Sequence, residues 1–115
     1  MTAQGDEPLC VVLCNAPPDR AGSIARALVE RRLAACVSVA PSVVSHYRWE
    51  GALHEDVEST LFVKTRLARL AEVTAAIREL HPYTVPEVIA LPLLDGGNSA
   101  YRAWVVAEST EPSPA

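Results

Sequence analysis

Leu9 to Ala16 is a short apolar run of Val, Leu and Cys that stops at Pro17 and Pro18, the pattern of a buried central strand. A helix should follow. Asp19 lies in its first turn, where a carboxylate suits the positive end of the helix dipole, and Ala21, Ile24, Ala25, Leu28 and Val29 repeat at helical spacing. From Cys36 to Glu50 the chain turns β-rich, with Tyr47 and Trp49 on one face and His46, Arg48 and Glu50 on the other. Pro41 and Ser42 interrupt this strand and predict a bulge or kink. After a turn at Gly51 the return strand alternates: Leu53, Val57, Ser59, Leu61, Val63 and Thr65 face one side, and His54, Asp56, Glu58, Phe62 and Lys64 the other.

A second amphipathic helix is predicted from Leu67 to Leu80, with Leu70, Val73, Ile77 and Leu80 inward and Pro82 as its stop. Val85 to Leu94 reads as the last strand, broken by Gly96-Gly97. Asn98 or Ser99 can then cap a final helix that sets Tyr101, Trp104, Val105 and Glu108 on one face. The order strand, helix, strand, strand, helix, strand, helix predicts an α+β chain with a ferredoxin-like βαββαβ core and an added C-terminal helix. Residues 1–8 and 110–115, with Ser109 leading into the latter, read as disordered tails around one domain at 9–109. The hairpin arms, about 14 residues each, would span roughly 45 Å at ~3.3 Å per residue, longer than the sheet of so small a domain. The overhang would leave Tyr47, Trp49, Leu53, Val57 and open strand edges in water, so a self-association that covers them is expected.

Composition narrows the function. At 115 residues the chain suits one domain, and its net charge of −4 excludes the clustered basic surface that nucleic acid requires. No apolar run approaches the roughly 20 residues of a membrane helix, and the polar, acidic start MTAQGDEP has no basic signal region, so a cytoplasmic protein without a membrane partner is expected. The cysteine count is 3, which cannot close as a disulfide framework, and Cys10, Cys14 and Cys36 form no Cys-x-x-Cys pair. No phosphate loop, nucleophile elbow or His-Glu-x-x-His motif is present, so no enzyme activity is expected. Pro82 and Pro86 stiffen a loop that presents His81, Tyr83 and Glu87, the kind of scaffold a binding cleft uses. Cys14 ends the first strand, and in an antiparallel neighbour the start of the last strand, with His81 just before it, should lie beside it. A thiolate with an imidazole suits copper or zinc.

The stretches LVERRLAACVSVAP, SHYRWEG, LFVKT and HPYTVPEVIALPLLDG, in this order and spacing, resemble the CutA family across about Leu9 to Glu108. That resemblance implies a ferredoxin-like subunit in a PII-like homotrimer with long hairpins reaching across neighbours, and a link to tolerance of copper and other divalent cations. It also implies copper ligands at Cys14 and His81; two ligands make a weak site, and Glu87 or a residue of a neighbouring subunit is the candidate third. The position before His81, which can be a second histidine in the family, is Leu80 here. Cys36 is read as core packing, His46 and His54 as reserve metal ligands, and Tyr47 and Trp49 as interface aromatics. The alternative function is a PII-like scaffold that binds a small anionic metabolite or nucleotide between subunits through Arg48, Lys64, Tyr83 and Glu87.

Overall fold

The paired prolines divide the first strand from the first helix. In the computed structural model, which describes residues 7–111, β1 (Leu9–Ala16) ends at Pro17, and α1 (Pro18–Glu30) begins with Pro18, where the missing N–H has no helical partner to lose. Ala21, Ile24, Ala25 and Leu28 are buried along one stripe. Val29 is 41% exposed instead of joining them. It stands about 100° beyond Leu28 around the helix, past the edge of the contact with the sheet.

β2 (Cys36–Trp49) and β3 (Ala52–Arg66) form the long hairpin. Its tip is a two-residue turn in which Glu50 and Gly51 both have positive φ, 49° and 80°, the handedness that matches strand twist. The register slips between Ala40 and Val43, at the expected bulge. There the Ser59 hydroxyl donates to the Pro41 carbonyl at 2.8 Å, satisfying a group the bulge takes out of the ladder.

A 3₁₀ turn (Leu67–Arg69) precedes α2 (Leu70–Leu80), so the predicted second helix starts a turn late. Val73 and Ile77 are fully buried, while Leu70 and Leu80 pack at the margin. His81 takes an extended conformation ahead of Pro82, which ends the helix as expected. The last strand is much shorter than Val85 to Leu94: β4 is Ile89–Pro92. Pro86 has no N–H to offer a ladder, and the residues before Ile89 form the loop instead.

The sheet runs β2-β3-β1-β4 with each neighbouring pair antiparallel, a ferredoxin-like order. α1 and α2 cover one face, where Cys10, Val12 and Cys14 of β1 meet Leu61 and Val63 of β3 in the core. The opposite face carries Val11, Leu13, Phe62, Ile89 and Leu91 in register, with Val105 and Val106 near its Leu9 end. Ile89 and Leu91 are more than half exposed there. The hairpin overhangs as predicted, with Leu53 at 75% exposure, in a subunit of 51 × 32 × 22 Å.

α3 (Ser99–Glu108) is capped by Asn98, whose side chain accepts from the Ala100 and Tyr101 N–H groups at 3.0 and 3.4 Å. Its buried residues are Arg102, Val105 and Val106, so of the four residues expected on one face only Val105 is buried. The C-terminal end of the helix is latched by two arginines. Arg69 donates to the Ser109 carbonyl and Arg32 to the Thr110 carbonyl, each at 2.9 Å, and this fixes the rotation of α3 and turns Tyr101 and Trp104 outward. Ser109 is consequently buried, so the chain stays ordered past the expected start of the tail. At the other end Glu7 pairs with Arg66, and the Pro8 carbonyl accepts from Leu67. The remainder of both expected tails, 1–6 and 112–115, lies outside the described residues. Among the described residues no helix is long and apolar enough to cross a membrane.

Asn98 supplies the one side-chain cap of α3, so Asn98→Ala should lower stability by about 1 kcal/mol. Urea denaturation followed by circular dichroism should show an earlier midpoint with an unchanged slope.

Candidate functional site

The slip at Pro41-Ser42 places two residues of β2 opposite one of β3, which reverses the facing of every later β2 side chain. Before it, Val37 and Val39 pair with Val63 and Leu61 on the helix-covered side. After it, Ser45 pairs with Asp56 and Tyr47 with His54, on the side that also carries Glu58 and Thr60. Tyr47 and Trp49 therefore share a face with the acidic residues of β3. The Tyr47 hydroxyl makes a short hydrogen bond to Asp56, and its ring stacks on His54 with centroids 5.2 Å apart.

The loop after α2 folds over this face. His81 is buried, its Nε2 lies 2.8 Å from the Asn15 carbonyl, and its Nδ1 accepts the Tyr83 N–H at 3.1 Å. Those two bonds assign the tautomer: Nε2 carries the proton and donates, and Nδ1 carries the lone pair. The Tyr83 hydroxyl then donates to Glu58 at 3.0 Å. Asn15, the one polar residue within the β1 run, ties the corner together, since its Oδ1 accepts from Thr60 at 2.7 Å while its carbonyl holds His81.

The result is a groove of about 710 Å³ walled by Tyr47, Trp49 and Tyr83, with Glu58 and Glu87 alongside. Among the described residues no lysine or arginine lines it. Partial desolvation and then the neighbouring Glu58 raise the Glu87 carboxyl above the ordinary range, as two carboxylates facing one space should. Cys14 is fully buried on the other, helix-covered side of the sheet. Burial first, then Glu87 and Glu58, push its thiol up to about 12, so the sulfur is a protonated thiol at neutral pH.

The topology ties His81 to the end of β1 through the Asn15 carbonyl, while the Cys14 side chain faces the core on the other side of the sheet from the groove that Glu87 lines. Both imidazole nitrogens are engaged, and the thiol is held protonated. Among the described residues no group of three or more His, Cys, Asp and Glu side chains is arranged to hold a metal ion, so one subunit does not present a ready soft-metal cage. Cys36 stands away from this corner, where Lys64 donates to the Ser38 hydroxyl at 2.9 Å and lies 3.7 Å from the Cys36 sulfur. Lys64 is therefore remote from the groove, and Arg48, paired with Leu53 near the hairpin tip, does not line it either. His54 stacks on Tyr47 rather than meeting His46. Glu58, Asp56 and Asn15 were not among the candidates. A polar residue inside an apolar strand could have singled out Asn15, whereas Glu58 looked like any solvent-facing position of an alternating strand.

The match to known proteins settles the family. The family model described as CutA1 divalent ion tolerance protein matches residues 10–108. The chain belongs to the CutA1 family. The divalent-cation tolerance protein CutA of Thermus thermophilus is 47% identical over 96 residues, covering 83% of this chain and 92% of that protein. The CutA homolog of Xenopus laevis is 51% identical over 85 residues, 74% of this chain, and this chain spans only 56% of that longer relative. The crystal structure of CutA1 from Oryza sativa superimposes with a TM-score of 0.86 at 38% identity, covering 95% of this chain and 99% of that one. These relatives are named for tolerance of divalent cations or for the family, not for a reaction.

Burial of Cys14 should shield it chemically. Iodoacetamide at pH 8 should leave Cys14 unmodified in the native protein and alkylate it in denaturant, read by peptide mass spectrometry. Native labelling at a rate near that of a free thiol would contradict the burial and raised pKa.

Proposed function

We propose that this CutA1 chain acts as a cytoplasmic homotrimer whose acidic grooves take divalent cations of the copper class. The observation that carries the reading is the pairing of Glu58 and Glu87 in a groove with no lysine or arginine along it among the described residues. A space lined this way attracts cations and repels anions, which disfavours the anionic-metabolite alternative, since Arg48 and Lys64 lie elsewhere. A cation would relieve the mutual repulsion that raises Glu87. Carboxylates are the first contacts the groove offers it, while Cys14 faces the core on the other side of the sheet. His81 serves as a positioning residue that pins the loop to Asn15. The three free cysteines, two of them buried, fit a reducing compartment.

Self-association is supported by the sheet itself. One face has helical cover, while the other exposes Ile89 and Leu91, and the overhanging hairpin exposes Leu53 and Val57 with an unpaired outer edge on β2. Copies of the chain that cover this surface would remove both the apolar exposure and the open edges. Light scattering after size exclusion should give about three times the 12.3 kDa subunit mass, and Leu53→Lys should shift the protein to smaller species. A monomeric wild type would overturn the trimer.

Calorimetric titration with copper and zinc tests the groove. Glu87→Gln should weaken binding at least tenfold, about 1.4 kcal/mol, whereas Lys64→Gln should leave it unchanged. Because the ion requires ionised Glu87 and that carboxyl is raised, affinity should fall as pH drops through its raised value. Absence of saturable binding by either metal at ~0.1 mM or below would exclude the reading on the affinity scale of specific sites.

A further inference from the structure

The groove is far larger than a metal ion needs, and its walls are of the wrong kind for one. About 710 Å³ lies in the range of small-molecule sites. Tyr47, Trp49 and Tyr83 keep 40%, 47% and 41% of their surface exposed while lining one cavity, where burial against the core would have been the ordinary fate of such rings. Their π-faces carry negative quadrupole charge, and Glu58 and Glu87 supply formal negative charge beside them. Two of the rings are held in place by their hydroxyls, Tyr83 on Glu58 and Tyr47 on Asp56, with His54 stacked against Tyr47. Aromatic walls combined with carboxylates recognise a cation that is itself apolar on its surface. A hydrated divalent ion gains little from ring faces, whereas a methylated ammonium group can shed its weak hydration and contact them directly.

We infer that the groove binds small organic ammonium cations, with Tyr47, Trp49 and Tyr83 as the aromatic wall and Glu58 and Glu87 as the counter-charge. The inference rests on the same acidic groove as the metal reading, and it adds a ligand class that the two carboxylates alone would not select. Metal and ammonium ligands compete for Glu58 and Glu87, so occupancy by one excludes the other.

The test compares choline with its carbon isostere 3,3-dimethylbutan-1-ol, which keeps the shape and loses the charge, by calorimetry on the intact full-length protein. Choline should bind saturably, the isostere at least about tenfold more weakly, and zinc should displace choline. Trp49→Leu should weaken choline about tenfold and leave zinc affinity unchanged. Tyr83→Phe, which keeps the ring, should retain choline, while Tyr83→Leu should lose it, with size exclusion confirming that assembly is intact. Equal affinity for the neutral isostere, or no choline binding up to ~10 mM, a limit set by the weakest specific sites, would overturn the inference. Zinc binding without choline binding removes this inference alone. Choline binding without metal binding upholds it and removes the metal reading, and binding of neither removes both.

Discussion

One extra residue in β2, at Pro41-Ser42, sets which side of the sheet carries the chemistry. Side chains alternate along a strand, so a single inserted residue reverses the facing of all that follow. Without the slip, Tyr47 and Trp49 would project to the same side as Val37 and Val39, toward the helices and away from Glu58. With it, they join Glu58, Asp56 and Asn15 on the uncovered face. The Ser59 hydroxyl bond to the Pro41 carbonyl holds the irregularity in place. The groove, its charge and its aromatic wall all follow from that local change of register.

The loop 81–88 completes the groove through backbone and side-chain bonds that consume the donors a metal would want. His81 spends both nitrogens on structure, joining the end of α2 to the end of β1. Cys14 is sealed in the core on the helix-covered side of the sheet, where a thiolate would be doubly disfavoured by burial and by the charges of Glu87 and Glu58. A soft-metal site built on thiolate and imidazole would have to undo both arrangements, whereas the Glu87 carboxylate is exposed as it stands, beside a buried Glu58 that accepts from Tyr83. Electrostatics, rather than the presence of Cys and His at the end of β1, decides what the groove attracts.

Much of the scaffold was legible in the chain. The β1 run, its termination at Pro17 and Pro18, the buried stripe of α1, the bulge, the turn at Gly51 and the Asn98 cap all rest on local backbone chemistry, and each stands where the residues pointed. The misses came where neighbours outweighed local pattern. β4 is short because the loop before it is drawn to Asn15 and Glu58 instead of to the edge of β1. α3 is rotated because Arg32 and Arg69, distant in sequence, latch its last carbonyls.

The sequence by itself determined the order of elements, the antiparallel ferredoxin-like sheet and the family, because periodicity, proline and glycine act over a few residues and the family motifs are contiguous stretches. It did not determine how His81 reaches the end of β1, because β4 begins only at Ile89, opposite Leu13, and a hydrogen bond to the Asn15 carbonyl holds His81 there. Tertiary structure alone decided which atoms remain available there. The Tyr83–Glu58 and His81–Asn15 bonds join groups 25 and 66 residues apart, and the carboxylates that hold the Cys14 thiol protonated are likewise distant in the chain. No local pattern of residues encodes which distant carbonyl accepts from the His81 ring N–H.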